Sequence, residues 1–213
     1  MFANGAQAAE PAASPWVEGR HYALIEPAQP TQVPAGKVEV VEVFSYGCPA
    51  CNQFEPIMLQ LAARLPKNAQ LVHVPASWNA AESWPLFQRA YLTAQVLGIA
   101  DKTHEAMYDA IWKTGELAVV DPVTHRLKEP QPTIGLVARF YARVGGVTQQ
   151  AVLDTAKSFA VDVKMMEADE LVKAYGVEGT PTLIVAGKYR VNNSSVRSAD
   201  ELIELVLYLV KRG

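Results

Sequence analysis

Cysteine is scarce in this sequence, which has only two, Cys48 and Cys51, among 213 residues. Two cysteines are too few for a small scaffold that is held together by disulfide bonds. They also cannot complete a structural zinc site, because zinc usually takes four protein ligands and the sequence has no second Cys-x-x-Cys. His73 and His104 stand at no recognisable ligand spacing, so we expect no metal site.

Long apolar runs and an excess of positive charge are also missing. No apolar stretch is long enough to span a bilayer. The net charge is -3 at pH 7, which gives no indication of nucleic acid or an anionic membrane as a partner. Hydrophobic residues make up 50% of the chain, enough to form the core of one large domain or two small ones.

The cysteine pair lies where a strand pattern changes into a helix pattern. Residues 38–44 are rich in strand formers, and apolar residues recur at helical spacing over 54–65. We therefore expect both thiols at the N-terminal end of a helix, where unpaired amides and the helix dipole favour a thiolate. Pro49 suits the first helical turn, because its missing N–H would have no partner there. We predict that Cys48 is the exposed attacking thiolate and Cys51 the more buried resolving thiol.

Two other interpretations of the cysteine pair remain open. A structural disulfide would close a very short loop, which removes little chain entropy and stabilises the protein only weakly. Two inert buried thiols are the other alternative. A Cys-x-x-Cys at a strand-to-helix junction favours redox chemistry over both.

The strand before the cysteines contains two acids, Glu39 and Glu42, whose spacing places them on opposite faces. Glu39 is near the start of the strand, and we expect it to reach water. Glu42 is flanked by valines, which indicates burial close to the cysteines and a raised pKa. We predict that Glu42 accepts or donates a proton for Cys51. The alternative is an ordinary exposed glutamate.

The remaining sequence predicts an α/β protein with a helical interruption. Residues 79–160 lack strand periodicity, and threonines at 133 and 148 are suited to cap helices. We expect the tryptophans at 78, 84 and 112 to pack in the core. A helix over 161–175, two strands joined by a tight turn and a helix opened by a capping box at Ser198 follow.

This order predicts a thioredoxin-like domain formed by residues 16–78 and 161–213, with an all-helical insertion at 79–160. A flexible segment of residues 1–15 precedes it. That segment is rich in alanine, and Ala6-Gln7-Ala8 is typical of the end of a secretory signal. We expect an exported protein whose signal peptide is absent from this chain; an ordinary Ala/Pro terminus is the alternative.

With these residues in place, the chain resembles the DsbA family of periplasmic thiol-disulfide oxidoreductases. The likeness covers residues 16–213 and is carried by Glu-Val-Phe-Ser-Tyr-Gly-Cys-Pro-Ala-Cys at 42–51 and Val-Glu-Gly-Thr-Pro-Thr at 177–182. The resemblance implies that the Thr180-Pro181 bond is cis and that its loop lies beside Cys48. Backbone groups at Thr180 would then pair with an extended substrate. A plain trans turn at Pro181 is the alternative.

The sequence departs from the family at Ala50, where many members have histidine between the motif proline and the second cysteine. Alanine cannot stabilise the Cys48 thiolate by charge or by a side-chain hydrogen bond. A low thiolate pKa makes a disulfide more oxidising, a rule for which this family is itself a standard example. We therefore predict a weaker oxidant than a histidine-bearing relative, with Pro49 and Ala50 tuning the thiolate.

The resemblance also implies a reaction and its partners. The Cys48–Cys51 disulfide would be donated to unfolded or reduced exported proteins and restored by a DsbB-type membrane protein. The protein would work in the periplasm without a cofactor, and we see no segment for dimerisation and expect a monomer. A disulfide reductase or isomerase, and a non-enzymatic binder of unfolded chains, are the alternative functions.

Overall fold

The structure, a computed structural model, describes residues 14–121 and 123–213. The signal-like pattern at residues 6–8 lies outside these residues. The described chain forms five strands, seven α-helices and two short 3-10 helices. In chain order they are β1 (Tyr22–Leu24), β2 (Val38–Phe44), α1 (Pro49–Arg64), β3 (Ala69–Pro75), a 3-10 helix (Ala80–Glu82), α2 (Trp84–Val96), α3 (Ala100–Trp112), α4 (Ile134–Gly145), α5 (Gln149–Ala156), α6 (Phe159–Ala174), β4 (Thr182–Val185), β5 (Tyr189–Val191), a 3-10 helix (Asn193–Ser195) and α7 (Ala199–Val210).

The five strands form one mixed sheet in the order β1-β5-β4-β2-β3. β2 pairs in parallel with β3 on one side and antiparallel with β4 on the other, and it is buried from its second residue onward. In this register Glu42 stands opposite His73 of β3 and Leu183 of β4. Residues that face each other across a ladder share a sheet face, so the register places His73 and Glu42 side by side.

Hydrophobic side chains pack on both faces of the sheet because successive residues of a strand point in opposite directions. One cluster joins Val40 and Leu183 to α1 and α7. The other cluster joins Val41, Val43 and Ile184 to the helices α2 to α6. The cysteine pair belongs to this second cluster, so the helical part of the chain packs directly against the residues around the cysteines.

Several helix boundaries follow from capping residues, as the sequence predicts. The side chains of Thr133, Thr148 and Ser198 each accept a hydrogen bond from an amide of the first helical turn. Each such bond satisfies a backbone donor that the helix leaves free, which stabilises the helix by about 1 kcal/mol. Gly146 ends α4 with a φ of 78°, a conformation that glycine adopts without a steric penalty.

Two expectations about burial are wrong. Glu39 does not reach water: it is 1% exposed, because the segment before β2 covers it and the Gln32 amide donates to Glu39 Oε1 at 2.8 Å. Trp84 lies in the core as expected, but Trp78 and Trp112 are 48% and 36% exposed. Trp112 is partly exposed because it lines an open cleft beside Pro49, where its indole N–H donates to the Tyr46 carbonyl at 2.9 Å.

The division into residues 16–78 and 161–213 with an insertion at 79–160 stays a prediction. The hydrophobic cluster around the cysteines runs without a break from β2 into α2 to α6. Across the described part of the chain, no helix combines the length and the apolar character needed to cross a membrane.

Candidate active site

The two cysteines occupy the start of α1. Cys48 is the N-cap residue, Pro49 follows at the first helical position, and the Cys48 carbonyl accepts a hydrogen bond from the Asn52 amide at 3.1 Å. Both cysteines are free thiols in this structure. Cys51 is fully buried and Cys48 is 6% exposed. Cys51 is therefore the more buried of the two, but Cys48 is largely covered, where the sequence suggested open exposure.

The loop before β4 covers Cys48. The Thr180-Pro181 peptide bond is cis, and the Cys48 thiol donates a hydrogen bond to the Thr180 carbonyl at 3.4 Å. The Asn193 side-chain amide, from the segment after β5, donates to the Pro181 carbonyl at 3.0 Å and holds the loop. The cis bond and the loop position that the resemblance implies are both present, and the alternative of a plain trans turn at Pro181 is wrong.

Hydrogen bonding stabilises the thiolate form of Cys48. The Cys51 thiol is its strongest donor and, against the opposing effect of burial, lowers the pKa of Cys48 to about 6. Hydrogen bonds at Thr180 and from the backbone amides of Cys51 and Ala50 contribute to this lowered pKa. These amides point at the sulfur because the first turn of a helix has no internal acceptors for them. At neutral pH Cys48 is consequently a thiolate for most of the time.

Cys51 shows the opposite behaviour. Burial raises the pKa of Cys51, and its hydrogen bond to Cys48 and the nearby Cys48 charge raise it further. Loss of the Cys48 proton thus leaves a negative charge beside Cys51, and this charge makes Cys51 retain its proton. This arrangement supplies one reactive sulfur and one sulfur that stays protonated until it is needed.

A buried cluster of ionisable side chains lies close to the cysteines. Glu42 is fully buried, and burial raises its pKa well above the usual value, with Glu55 and Cys48 adding to the effect. His73 Nε2 is 3.4 Å from Glu42 Oε2, and His104 Nε2 is 3.5 Å from Glu55 Oε2. The alternative of an exposed strand glutamate at position 42 is wrong.

Sequence reasoning assigned no role to Glu55 or His104. Glu55 follows Cys51 by four residues and so lies one helical turn below it on the same side of α1. That spacing was visible in the sequence. His104 comes from α3, and only the packing of that helix brings it to the sheet.

Two clefts flank the cysteine pair. A cavity of about 460 Å³ lies beside Thr180 and Pro181, with a rim of polar residues that includes Arg190 and Asn193. A second cavity, of about 480 Å³, lies beside Pro49 and is lined largely by apolar residues of α3 and the loop after it, among them Trp112. The loop that contacts Cys48 therefore borders a polar cleft, and Pro49 borders an apolar one.

Comparisons with known proteins agree with this geometry. A family model described as Thioredoxin matches residues 33–205. The chain is 34% identical over 212 residues to the thiol:disulfide interchange protein DsbA of Pseudomonas syringae pv. tomato, covering 100% of this chain and 89% of that protein. The DsbA of Azotobacter vinelandii is 34% identical over 215 residues, covering 100% of this chain and 91% of that protein. The chain belongs to the DsbA family.

Solved DsbA structures have the same fold. The crystal structure of Pseudomonas aeruginosa DsbA matches with a TM-score of 0.76 at 32% identity, covering 92% of this chain and 94% of that one. The DsbA of Xylella fastidiosa matches with a TM-score of 0.77 at 31% identity, covering 90% of this chain and 94% of that one. The predictions of a thioredoxin-like α/β fold with added helices and of a thiol-disulfide oxidoreductase are confirmed.

The structure brings the DsbA motif residues of this chain together. Cys48, Cys51 and Pro49 start α1, and the Thr180-Pro181 loop contacts the first of them. The Ala50 side chain is exposed, and its contribution to Cys48 is made by its backbone amide alone. The individual roles of these residues in DsbA chemistry stay predictions.

Proposed function

We propose that this DsbA-family protein donates its Cys48–Cys51 disulfide to reduced client proteins that are folding after export. The observation that carries the proposal is the opposed pair of sulfurs, with the pKa of Cys48 lowered to about 6 and the pKa of Cys51 raised. A stabilised Cys48 thiolate favours the reduced dithiol, so the disulfide is readily given up.

The reaction begins with attack of a client thiolate on Cys48 Sγ. A client–Cys48 disulfide forms, the Cys48–Cys51 bond breaks, and Cys51 leaves as a thiolate that must take up a proton. A second client thiolate then attacks the client sulfur of this mixed disulfide and expels Cys48 as its stabilised thiolate. The client loses two electrons to the enzyme disulfide and gains a disulfide of its own.

Glu42 is the proton donor for Cys51 in this scheme and the acceptor when the reaction runs in reverse. Its burial and the electrostatic influence that it exerts on Cys51 support the role. The raised pKa of Glu42 favours its protonated form, which a donor to a departing thiolate requires.

The client binds at the cis-proline loop. The Thr180 backbone lies within hydrogen-bond distance of Cys48 and offers main-chain groups to an extended chain, as in strand addition. Because main-chain pairing does not depend on side chains, it suits an enzyme that acts on many clients.

The direct test is oxidation of a reduced two-cysteine client by the purified, oxidised protein. We expect the wild type to transfer one disulfide per chain and Cys48→Ser to transfer none. Gln53→Ser, an exposed position on the same helix, is the matched control and should transfer as the wild type does. Disulfide transfer by the Cys48→Ser variant would overturn the assignment.

A non-enzymatic binder of unfolded chains is the second candidate, favoured by the apolar cleft beside Pro49. Such a function does not need the thiols. A Cys48→Ala/Cys51→Ala variant that still supports client folding in cells would favour this candidate, whereas complete loss would favour the disulfide donor.

Family membership supports the remaining proposals. We propose that a DsbB-type membrane protein reoxidises Cys48 and Cys51, that the reaction takes place in the periplasm and that the protein acts as a monomer without an organic cofactor. Sedimentation analysis tests the monomer, and reoxidation in membranes with and without a DsbB-type protein tests the partner.

A further inference from the structure

We propose that Glu42, Glu55, His73 and His104 form a binding site for one divalent transition-metal ion, with zinc as the best-fitting example. These four side chains are called the Glu2His2 cluster below. The spacing of these residues in the sequence predicts no metal site. The proposal differs because strand pairing and helix packing bring the four side chains together.

Four different elements bring the cluster together. The parallel register of β2 and β3 sets Glu42 beside His73. α1 contributes Glu55 and α3 contributes His104. One ligand atom from each of Glu42, His73 and His104 lies within 4.8 Å of the other two.

The distances match the edges of a small coordination sphere. His73 Nε2 and Glu42 Oε2 are 3.4 Å apart, and His104 Nε2 and Glu55 Oε2 are 3.5 Å apart. A tetrahedral ion with ligands at about 2.0–2.1 Å separates its ligand atoms by roughly 3.3–3.4 Å. Both measured pairs therefore have the spacing of two ligand atoms on one ion. Glu42, His73 and His104 lie close together, and Glu55, which is near His104, would complete the site by a change of rotamer.

The cluster also has the unused polar atoms that a ligand site needs. Both Glu42 oxygens, Glu55 Oε2 and His104 Nε2 are buried without a hydrogen-bond partner in residues 14–121 and 123–213. Each unsatisfied buried polar atom costs about 1–3 kcal/mol, so four of them in one cluster of side chains are unusual in a folded protein. One tetrahedral cation would satisfy three of them, which are one Glu42 oxygen, Glu55 Oε2 and His104 Nε2.

Tyr46 orients one ligand from outside the cluster. Its hydroxyl forms a hydrogen bond of 2.8 Å with His104 Nδ1, which leaves Nε2 directed at Glu55. Metal-binding histidines nearly always have their second ring nitrogen held in this way.

An ion has a path to the site. A cavity of about 440 Å³ is lined by Glu55, His73 and His104 and by the exposed acids Asp101 and Glu105. The two acids give its mouth a negative charge, which attracts cations. Calcium and magnesium prefer all-oxygen sites, whereas two imidazoles with carboxylates suit zinc or a neighbouring transition metal.

A bound ion would use the carboxylate that is proposed to serve Cys51. The metal site and the proton transfer by Glu42 therefore exclude each other in one molecule at one time. This makes the metal a candidate regulator of the oxidoreductase, although binding itself does not depend on the proposed function.

The test measures binding of Zn²⁺ and Co²⁺ to the full chain in its oxidised form, in which the Cys48–Cys51 disulfide removes both thiolates as ligands. Titration against a chromogenic chelator gives stoichiometry and affinity. The visible absorption of bound Co²⁺ reports its coordination. We expect about one ion per chain, with tetrahedral cobalt bands that lack sulfur charge transfer.

The variants locate the site. We expect His104→Gln and His73→Gln each to weaken binding by more than about tenfold, because even a lost outer partner of a metal ligand costs that much. His125→Gln, an exposed histidine outside the cluster, is the control and should bind as the wild type does. Circular dichroism confirms folding; if a histidine variant unfolds, the near-isosteric Glu55→Gln takes its place. Failure of the oxidised wild type to bind, equal binding by the cluster variants, or loss of binding in His125→Gln would overturn the proposal.

Discussion

The hydrogen bond between the two thiols predicts how Cys48 should respond to substitution of Cys51. The Cys51 thiol is the largest cause of the low Cys48 pKa of about 6. A hydrogen bond to a charged acceptor is worth about 1.5–3 kcal/mol, which corresponds to about 1–2 pKa units. Cys51→Ala removes the donor, so we expect the pKa of Cys48 to rise to about 7–8. Cys51→Ser keeps a hydroxyl donor, and we expect a pKa close to that of the wild type.

The assay is the rate of Cys48 alkylation by iodoacetamide as a function of pH, since only the thiolate reacts. In both variants Cys48 is the sole thiol, so the midpoint of the rate profile belongs to it alone. The two variants differ by one donor and have nearly the same volume at position 51. Equal midpoints near 6 in the alanine and serine variants would refute the reasoning and assign the low pKa to the helix amides.

The remaining predictions use the same site. Because the pKa of Cys48 is lower in the folded than in the unfolded protein, the Cys48 thiolate stabilises the reduced protein fully above the unfolded pKa of about 8.5, and this stabilisation is lost as pH falls through about 6. The free energy of unfolding in urea, measured for the reduced protein relative to the oxidised protein, should therefore rise with pH over this range. A difference that does not change with pH would contradict this prediction. Ala50→His should make the disulfide more oxidising by up to ~20 mV in glutathione equilibration, since an exposed charge pair contributes up to about 1 kcal/mol; a more reducing variant would contradict the tuning role. Because the pKa of Glu42 is raised in the folded protein, its stabilising contribution is present at low pH and is lost as pH rises through the folded pKa. Glu42→Gln, studied with EDTA, should therefore be more stable than the wild type at high pH and should change the pH dependence of thiol exchange. An unchanged pH dependence of thiol exchange would remove the proton-transfer role of Glu42. Gly47→Ala should lose about 1–3 kcal/mol in urea unfolding, because the added Cβ would lie 2.8 Å from the Trp84 ring; wild-type stability would show that the ring moves freely.

The features that could be predicted from the sequence are local ones. The change of period at the cysteines is enough to place Cys48 at a helix start, and the capping threonines at 133 and 148 define two helices of the interruption. Glu42 could be assigned to the interior because its strand neighbours are valines. Each of these inferences depends on residues a few positions apart, where backbone geometry decides the outcome.

The features that could not be predicted depend on contacts between distant segments. Glu39 is buried because the Gln32 amide, from a proline-rich connection without periodicity, happens to reach it. His104 joins Glu42 only through the packing of α3 against the sheet, which leaves no spacing signal in the sequence. Trp112 is partly exposed because segments distant in the sequence form the cleft that it lines. A pattern of hydrophobicity contains none of this information.

The two edge strands of the sheet limit how a client chain, proposed to arrive unfolded, can pair with this protein. At one edge β1 is only three residues long and is followed closely by Pro27, and at the other β3 ends in Pro75 and is packed by α2 and α6. Short, proline-limited or covered edges offer few free main-chain groups for another strand to join. Partly folded client chains therefore have few edge groups on which to aggregate with this protein. The loop beside Cys48 remains the place for main-chain pairing with a client.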